Sequence, residues 1–285
     1  MPIVASCARK PLSSMPGTFP GSHERARGHA GGHTAVMQEQ LRDKLVADGE
    51  AALGAARRFV SFTGNDNADK LLNDIDGHRH AFVLAALVDR QIRADKAWLV
   101  PELIRQRLGS FAFADLESLS PKQWVALMRE PTPAHRMPET MADVLQQGAA
   151  RIRLHYGGDA SLMWSDRPPS ARAVRRFLDF RGAGPKIATM AVNILVRDFR
   201  VPLRDYRYID ISADVHVCRV MARLGFVEEG ASPAAVIYAA RELNPDFPGI
   251  FDLTLWDLGR TVCRPTAPQC SECPLREYCR TATLA

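Results

Sequence analysis

Four of the six cysteines in this 285-residue chain fall within one short stretch, CRPTAPQCSECPLREYC, residues 263–279, spaced C-x6-C-x2-C-x5-C. No other feature restricts the fold so strongly, because the loop must bring four thiols together. Two disulfides are one solution, but disulfide scaffolds belong to small, cysteine-dense secreted chains, and a chain this long can bury an adequate core without them. Tetrahedral zinc is another, commonly held by two separated C-x2-C pairs. Here one such pair is flanked by longer arms, a run that suits a [4Fe-4S] cubane, whose four iron corners oblige the loop to wrap around it. Pro265, Pro268 and Pro274 keep the loop from becoming a helix. The ligands would be Cys263, Cys270, Cys273 and Cys279, and the plainest alternative is four unrelated buried thiols. Cys218 lies in a helical pattern and reads as a small apolar filler, while Cys7 carries no signal.

Apolar residues make up 46% of the chain, which is ordinary for a globular protein, and no apolar run approaches the length of a membrane span. The reading is therefore a soluble protein with nothing that looks secreted, placed in the cytoplasm beside nucleoid DNA. The net charge of +5 is unevenly spread. Residues 1–36 carry +3, and residues 170–208 carry +6, from nine Lys and Arg against three Asp. Concentrated positive charge of this kind points to a phosphate backbone. Residues 1–36 are rich in Gly, Ser, Pro and His without apolar period and read as a disordered tail. Met37 opens the first convincing helix, MQEQLRDKLVADGEAAL, and is a candidate for the true start.

Beyond the tail the chain reads as all-α. AFVLAALV (81–88) is apolar on every side, as a buried helix must be, and is expected to continue through DRQIRADKAWLVPELI to a break at Pro101. Residues 139–156 form an amphipathic run closed by Gly157 and Gly158. Helices over 170–180 and 185–199 are separated by one tight turn. Asp214 opens VHVCRVMARLG, with Gly225 at its end, and helices at 232–244 and around 248–261 complete the set.

The turn FRGAGPK (180–186) is the second informative stretch. Gly182 and Gly184 allow close approach by another backbone, and Pro185 suits the first helical position. Such a turn offers amides and a helix dipole to an anion, as a helix-hairpin-helix does to a nucleic acid phosphate, although a plain αα-turn has a similar sequence.

FRGAGPKIATMAVN resembles the hairpin of the endonuclease III family of DNA glycosylases, DVHVCRV resembles that family's aspartate segment, and the cysteine spacing resembles its iron–sulfur loop. RQIRADKAW (90–98) is similar to the glutamine-bearing stretch, and the order is preserved over roughly residues 76–279. The resemblance implies two helical lobes flanking a DNA-binding cleft: a barrel domain over 76–200 with the hairpin, and a cluster domain from 37–75 plus 201–285. It implies a monomer acting on double-stranded DNA with a damaged or mismatched base. Lys186 would be the nucleophile, attacking C1′ as a neutral amine to leave a Schiff base, with the positive end of a helix and nearby arginines as its expected surroundings. Asp214 would stabilise positive charge developing at the sugar, while also capping its helix, with Asp210 the fallback. Arg181, Gly182 and Gly184 would hold DNA, and Gln91 would enter the helix where a base is extruded. The cluster's expected part is structural.

The chain also departs from the family pattern. Arg181 stands where the hairpin usually has proline, and 28 residues separate Lys186 from Asp214, longer than usual. The extra loop, FRVPLRDYRYIDIS, reads either as an ordinary surface loop or as a DNA contact or pocket wall. The adenine-removing branch needs a glutamate about one turn before the glutamine, where AALVDRQ has alanine and leucine, so that branch is disfavoured. A monofunctional glycosylase using Asp214 alone, and a metal-bearing DNA-binding protein without catalysis, remain open. The scattered His78, His80, His135, His155 and His216 read as packing or surface residues, and PTPAHRMP (131–138) as a loop.

Overall fold

A computed structural model describes residues 30–55 and 59–283. The expected tail lies outside the described residues except for 30–36, which form the first turns of α1 (Ala30–Gly54), so that helix begins before Met37. The described residues contain helices and turns and no strand. In chain order, α2 (Asp66–Asn73), α3 (Arg79–Val88), α4 (Ala94–Trp98), α5 (Val100–Leu108), α6 (Phe113–Glu117), α7 (Pro121–Arg129) and α8 (Pro138–Tyr156) lead to the hairpin helices α9 (Ser170–Leu178) and α10 (Pro185–Arg197). Then come α11 (Val215–Leu224), α12 (Pro233–Leu243), α13 (Asp252–Thr261) and the short α14 (Arg280–Thr283).

The side chains sort into two hydrophobic cores. The first is built on α3, where Ala81 through Val88 are all 1% exposed or less, as apolar character on every side requires. Helix α8 packs along it, and Phe82, Trp98 and Phe199 form an aromatic knot whose ring centroids lie 5.3–5.6 Å from that of Phe82. This core takes in Leu71, Leu72 and Ile75 at one end and Val201, Leu203 and Ile209 at the other. The barrel lobe thus reaches beyond the expected 76–200 on both sides, because α2 and the extra loop bury their apolar residues there. The second core joins Leu41 and Leu45 of α1 to Ile211, Val217, Val220, Met221, Phe251, Leu255 and Leu275. The two ends of the described chain therefore share this lobe.

One helix is shorter than the sequence pattern suggests. Helix α3 stops at Val88 instead of running on to Pro101, and the next five residues are irregular, with Gln91 at φ +52°. Nothing in VDRQIRAD is a strong breaker. Tertiary bonds to this segment, described below, override its helical propensity.

The extra loop after α10 is a strap between the lobes. The Arg200 guanidinium donates to the carbonyls of Leu53 and Ala55, at the end of α1, where helix carbonyls lack partners. Arg204 donates to the Arg167 carbonyl at 3.0 Å, and the Asp205 carboxylate accepts from the Ser170 N–H that opens α9. Arg207 pairs with Glu50 at 3.2 Å and lies over Tyr206 and Phe247. The loop's charge is spent largely on protein partners.

Candidate active site

Between α9 and α10 the chain turns at Gly182, whose φ of +83° is left-handed and suits glycine. Phe180, 2% exposed, anchors the turn beside Phe177, and the Ala183 N–H donates to the Phe180 carbonyl at 3.0 Å. Gly184 precedes α10 with extended backbone and no side-chain cap, and a Cβ built there would meet open space. The α10 N-terminus thus presents amides and positive dipole to an unobstructed surface. Arg181 pairs with Asp143 at 2.8 Å and remains exposed.

Lys186 occupies the first turn of α10. Its Nζ donates to Asp89 Oδ2 at 2.8 Å and to the Asp89 carbonyl at 3.3 Å. The amine's immediate surroundings are a carboxylate rather than arginines. Asp89 ends α3, and its side chain is 7% exposed against 32% for Lys186.

The residues after Asp89 are fastened to two neighbours. His135, 2% exposed, accepts the Met137 N–H on Nδ1 at 3.1 Å, so its Nε2 is the protonated nitrogen and donates to the Arg90 carbonyl at 3.1 Å. Burial pushes the His135 pKa down, consistent with this neutral tautomer. Arg136 donates to the Gln91 carbonyl at 3.2 Å. The Arg90 guanidinium lies against Gly182, where an added Cβ would stand 2.2 Å from one of its terminal nitrogens. Burial also lowers the Arg90 pKa, and its Nε has no hydrogen-bond partner among the described residues. Gln91 itself is exposed. The segment Asp89–Gln91 therefore connects α3, the hairpin and the PTPAHRMP loop, which reading the sequence did not reveal.

Asp214 caps α11, where Oδ1 accepts the N–H groups of His216 and Val217, both at 2.8 Å. The cap thus occupies one carboxylate oxygen, and the side chain is half-buried beside exposed Val215. Just upstream, Ser212 is held by Asp252, whose Oδ1 accepts the Ser212 N–H at 2.7 Å and its hydroxyl. Asp252 is 5% exposed, its pKa is raised by burial, and Arg197 of α10 lies 3.8 Å away. Asp210, the fallback candidate, is engaged bidentately by Arg241 at 2.7 and 2.8 Å.

At the far end of α11, Cys263, Cys270, Cys273 and Cys279 are all partly buried. Burial raises the Cys273 thiol pKa, and the neighbouring Cys279, Cys263 and Cys270 raise it further. Arg223 donates to Cys263 Sγ at 3.4 Å and to the Arg264 carbonyl at 2.6 Å, and its own carbonyl accepts from Cys279 Sγ at 3.5 Å. No three His, Cys, Asp or Glu side chains among the described residues form a ready-made single-ion shell.

The arrangement of two helical lobes and a hairpin defines a class: the fold is that of the helix-hairpin-helix DNA glycosylases. Within that class its fold is similar to that of endonuclease III. A non-covalent endonuclease III–DNA complex aligns with a TM-score of 0.59 and 19% identity, covering 86% of this chain and 97% of that one. A thermostable thymine-DNA glycosylase aligns at 0.58 and 16% identity, covering 87% and 99%. Among curated proteins, endonuclease III of Thermotoga maritima is 30% identical over 108 residues, 38% of this chain and 46% of the relative. Adenine DNA glycosylase of Mus musculus is 35% identical over 143 residues, 48% and 24% respectively. The chain thus spans less than half the length of these two curated relatives. No protein-family model matches it.

Proposed function

We propose that the chain is a base excision repair DNA glycosylase with AP lyase activity, acting as a monomer on duplex DNA that carries a damaged or mismatched base. The observation that carries this reading is the placement of Lys186: its amine is held in the first turn of the hairpin's second helix, beside an N-terminus open to phosphate. The hairpin amides would grip the backbone without reading bases. A base cannot be attacked within the stack, so it would be flipped out, with Gln91 entering the vacated space. Lys186 Nζ, after passing its extra proton to solvent, would then form a bond to C1′ with its lone pair as the bond from C1′ to the base breaks, and the base leaves with that bond's electron pair and takes up a proton. The Asp214 carboxylate would stabilise positive charge on the sugar as that bond lengthens. Ring opening leaves an imine, and β-elimination nicks the strand. Ala86 and Leu87, where the adenine-removing branch would need a glutamate, are fully buried.

Cys263, Cys270, Cys273 and Cys279 would hold a [4Fe-4S] cluster. When bound, the cluster would cross-link the loop. Arg223 and Arg219 of α11 join that loop to the helix that Asp214 caps, Arg219 donating to the Cys263 carbonyl at 3.0 Å. We place the protein with nucleoid DNA in the cytoplasm.

Borohydride trapping on a duplex with an abasic site tests the lysine. The parent should form a covalent complex and Lys186→Gln should not; undiminished trapping by that variant overturns the assignment. The Lys186–Asp89 ion pair favours a second reading, in which the lysine is structural and Asp214 alone supports hydrolysis. That reading expects base release from a panel of singly modified duplexes without nicking.

A further inference from the structure

We infer that Asp89 is a positioning residue for Lys186, an inference that rests on Lys186 being the nucleophile. The pair joins residues 97 apart in sequence. Its two members are unequally placed, since the carboxylate is 7% exposed and the amine 32%. Asp89 is the anchored partner and Lys186 the one that faces outward. The backbone that carries the anchor is itself held. Its N–H donates to the Ala86 carbonyl at 3.2 Å, and His135 and Arg136 hold the carbonyls of the two residues that follow. Arg90 presses on the turn that leads into Lys186. The same segment carries Gln91 in a conformation that L residues seldom adopt, so the fold holds this geometry against local preference.

Chemistry explains the value of such an anchor. A lysine amine rides on a flexible four-carbon stem, and ordering it costs rotamer freedom. Attack at C1′ needs the nitrogen within near-contact distance of one carbon, and ordering achieved before substrate arrives is not charged to the reaction. A carboxylate with one oxygen on the amine, assisted by its own backbone carbonyl, defines where Nζ resides. Asp89 touches no reacting atom in this account and acts through the amine it holds.

The test uses the full chain and a duplex with one abasic site, so no knowledge of the preferred lesion is needed. Asp89→Asn preserves the shape and one acceptor oxygen but removes the charge. The single-turnover rate of borohydride trapping should fall at least tenfold while Kd for the duplex changes less than twofold. Asp89→Glu, which keeps the charge and moves it by one methylene, should trap faster than Asp89→Asn but at least threefold more slowly than the parent, and it supplies the decisive reading if Asp89→Asn does not fold. A pair kept only to tie α3 to α10 predicts the reverse: a lower thermal midpoint with an unchanged trapping rate per folded molecule. That result in either folded variant overturns the inference. Lys186→Gln, run alongside, separates the two layers: if it traps like the parent, the lysine reading itself is lost, whereas loss in Lys186→Gln with none in the Asp89 variants removes Asp89 alone.

Discussion

The two lobes are stabilised differently. The first wraps α3 completely and fills its interior with Phe82, Trp98, Trp124, Phe177 and Phe180. The second has a smaller apolar set, and its edge is made partly of Cys263, Cys273 and Cys279 packed against that core. Small cores usually need a staple. The contrast teaches where a staple would matter: the first lobe has a large apolar interior of its own, while the second would lean on the proposed cluster.

The sharpest test of that difference is removal of the proposed cluster by oxidation and chelation. Amides in α11 and α13 should exchange at least a hundredfold faster, with those of α3 and α8 unchanged, as read by hydrogen-exchange mass spectrometry. Equal loosening of both lobes would erase the distinction. Next in size is Phe82→Ala, which should destabilise the first lobe by about 3–5 kcal/mol in denaturant melts while leaving the cluster's absorbance in place.

Acid should weaken the first lobe through His80. Its Nε2 donates to the Phe111 carbonyl at 2.8 Å, and burial holds its pKa down to about 4. A base with a depressed folded pKa contributes stability that is complete above its unfolded pKa of about 6.5 and is lost as pH falls toward the folded value. The loss should total about 3 kcal/mol and be largely absent in His80→Phe, measured as thermal midpoints from pH 7 to pH 4. Asp252, buried near the second lobe, has the opposite sign: its raised pKa favours the fold below the usual carboxylate range and ceases to do so as pH rises through the shifted value. A smaller effect should come from Gly259→Ala, where α13 meets α11. The new Cβ would stand 2.9 Å from His216 Cβ and 3.1 Å from the His216 carbonyl oxygen, which can hardly retreat. A loss of about 1–3 kcal/mol confined to the second lobe is expected from urea titration.

Local devices in this chain are readable from sequence. Asp214 before an apolar period and Gly225 after it marked α11, and observed φ at Gly225 is +89°. Gly157 closes α8 in the same way, while the helix begins at Pro138, a residue the sequence reading left in the preceding loop. The all-helical class and the hairpin were legible because each depends on neighbours within a few residues. The end of α3 was not, since His135, Arg136 and Lys186 determine it and all arrive from distant parts of the chain. For the same reason nothing in FRVPLRDYRYIDIS disclosed that Arg200 would reach the carbonyls at the end of α1, and Asp89 looked like one more polar residue within a helix.

Gln91 offers an uncommon opportunity to separate architecture from task. Its backbone sits where glycine is comfortable and a side chain is not, so Gln91→Gly should make the protein slightly harder to melt. Most substitutions that impair an enzyme leave open whether shape or chemistry was injured. Here a sturdier molecule that performed worse on duplex DNA would trace the deficit to this segment and the side chain it carries, not to a weakened fold.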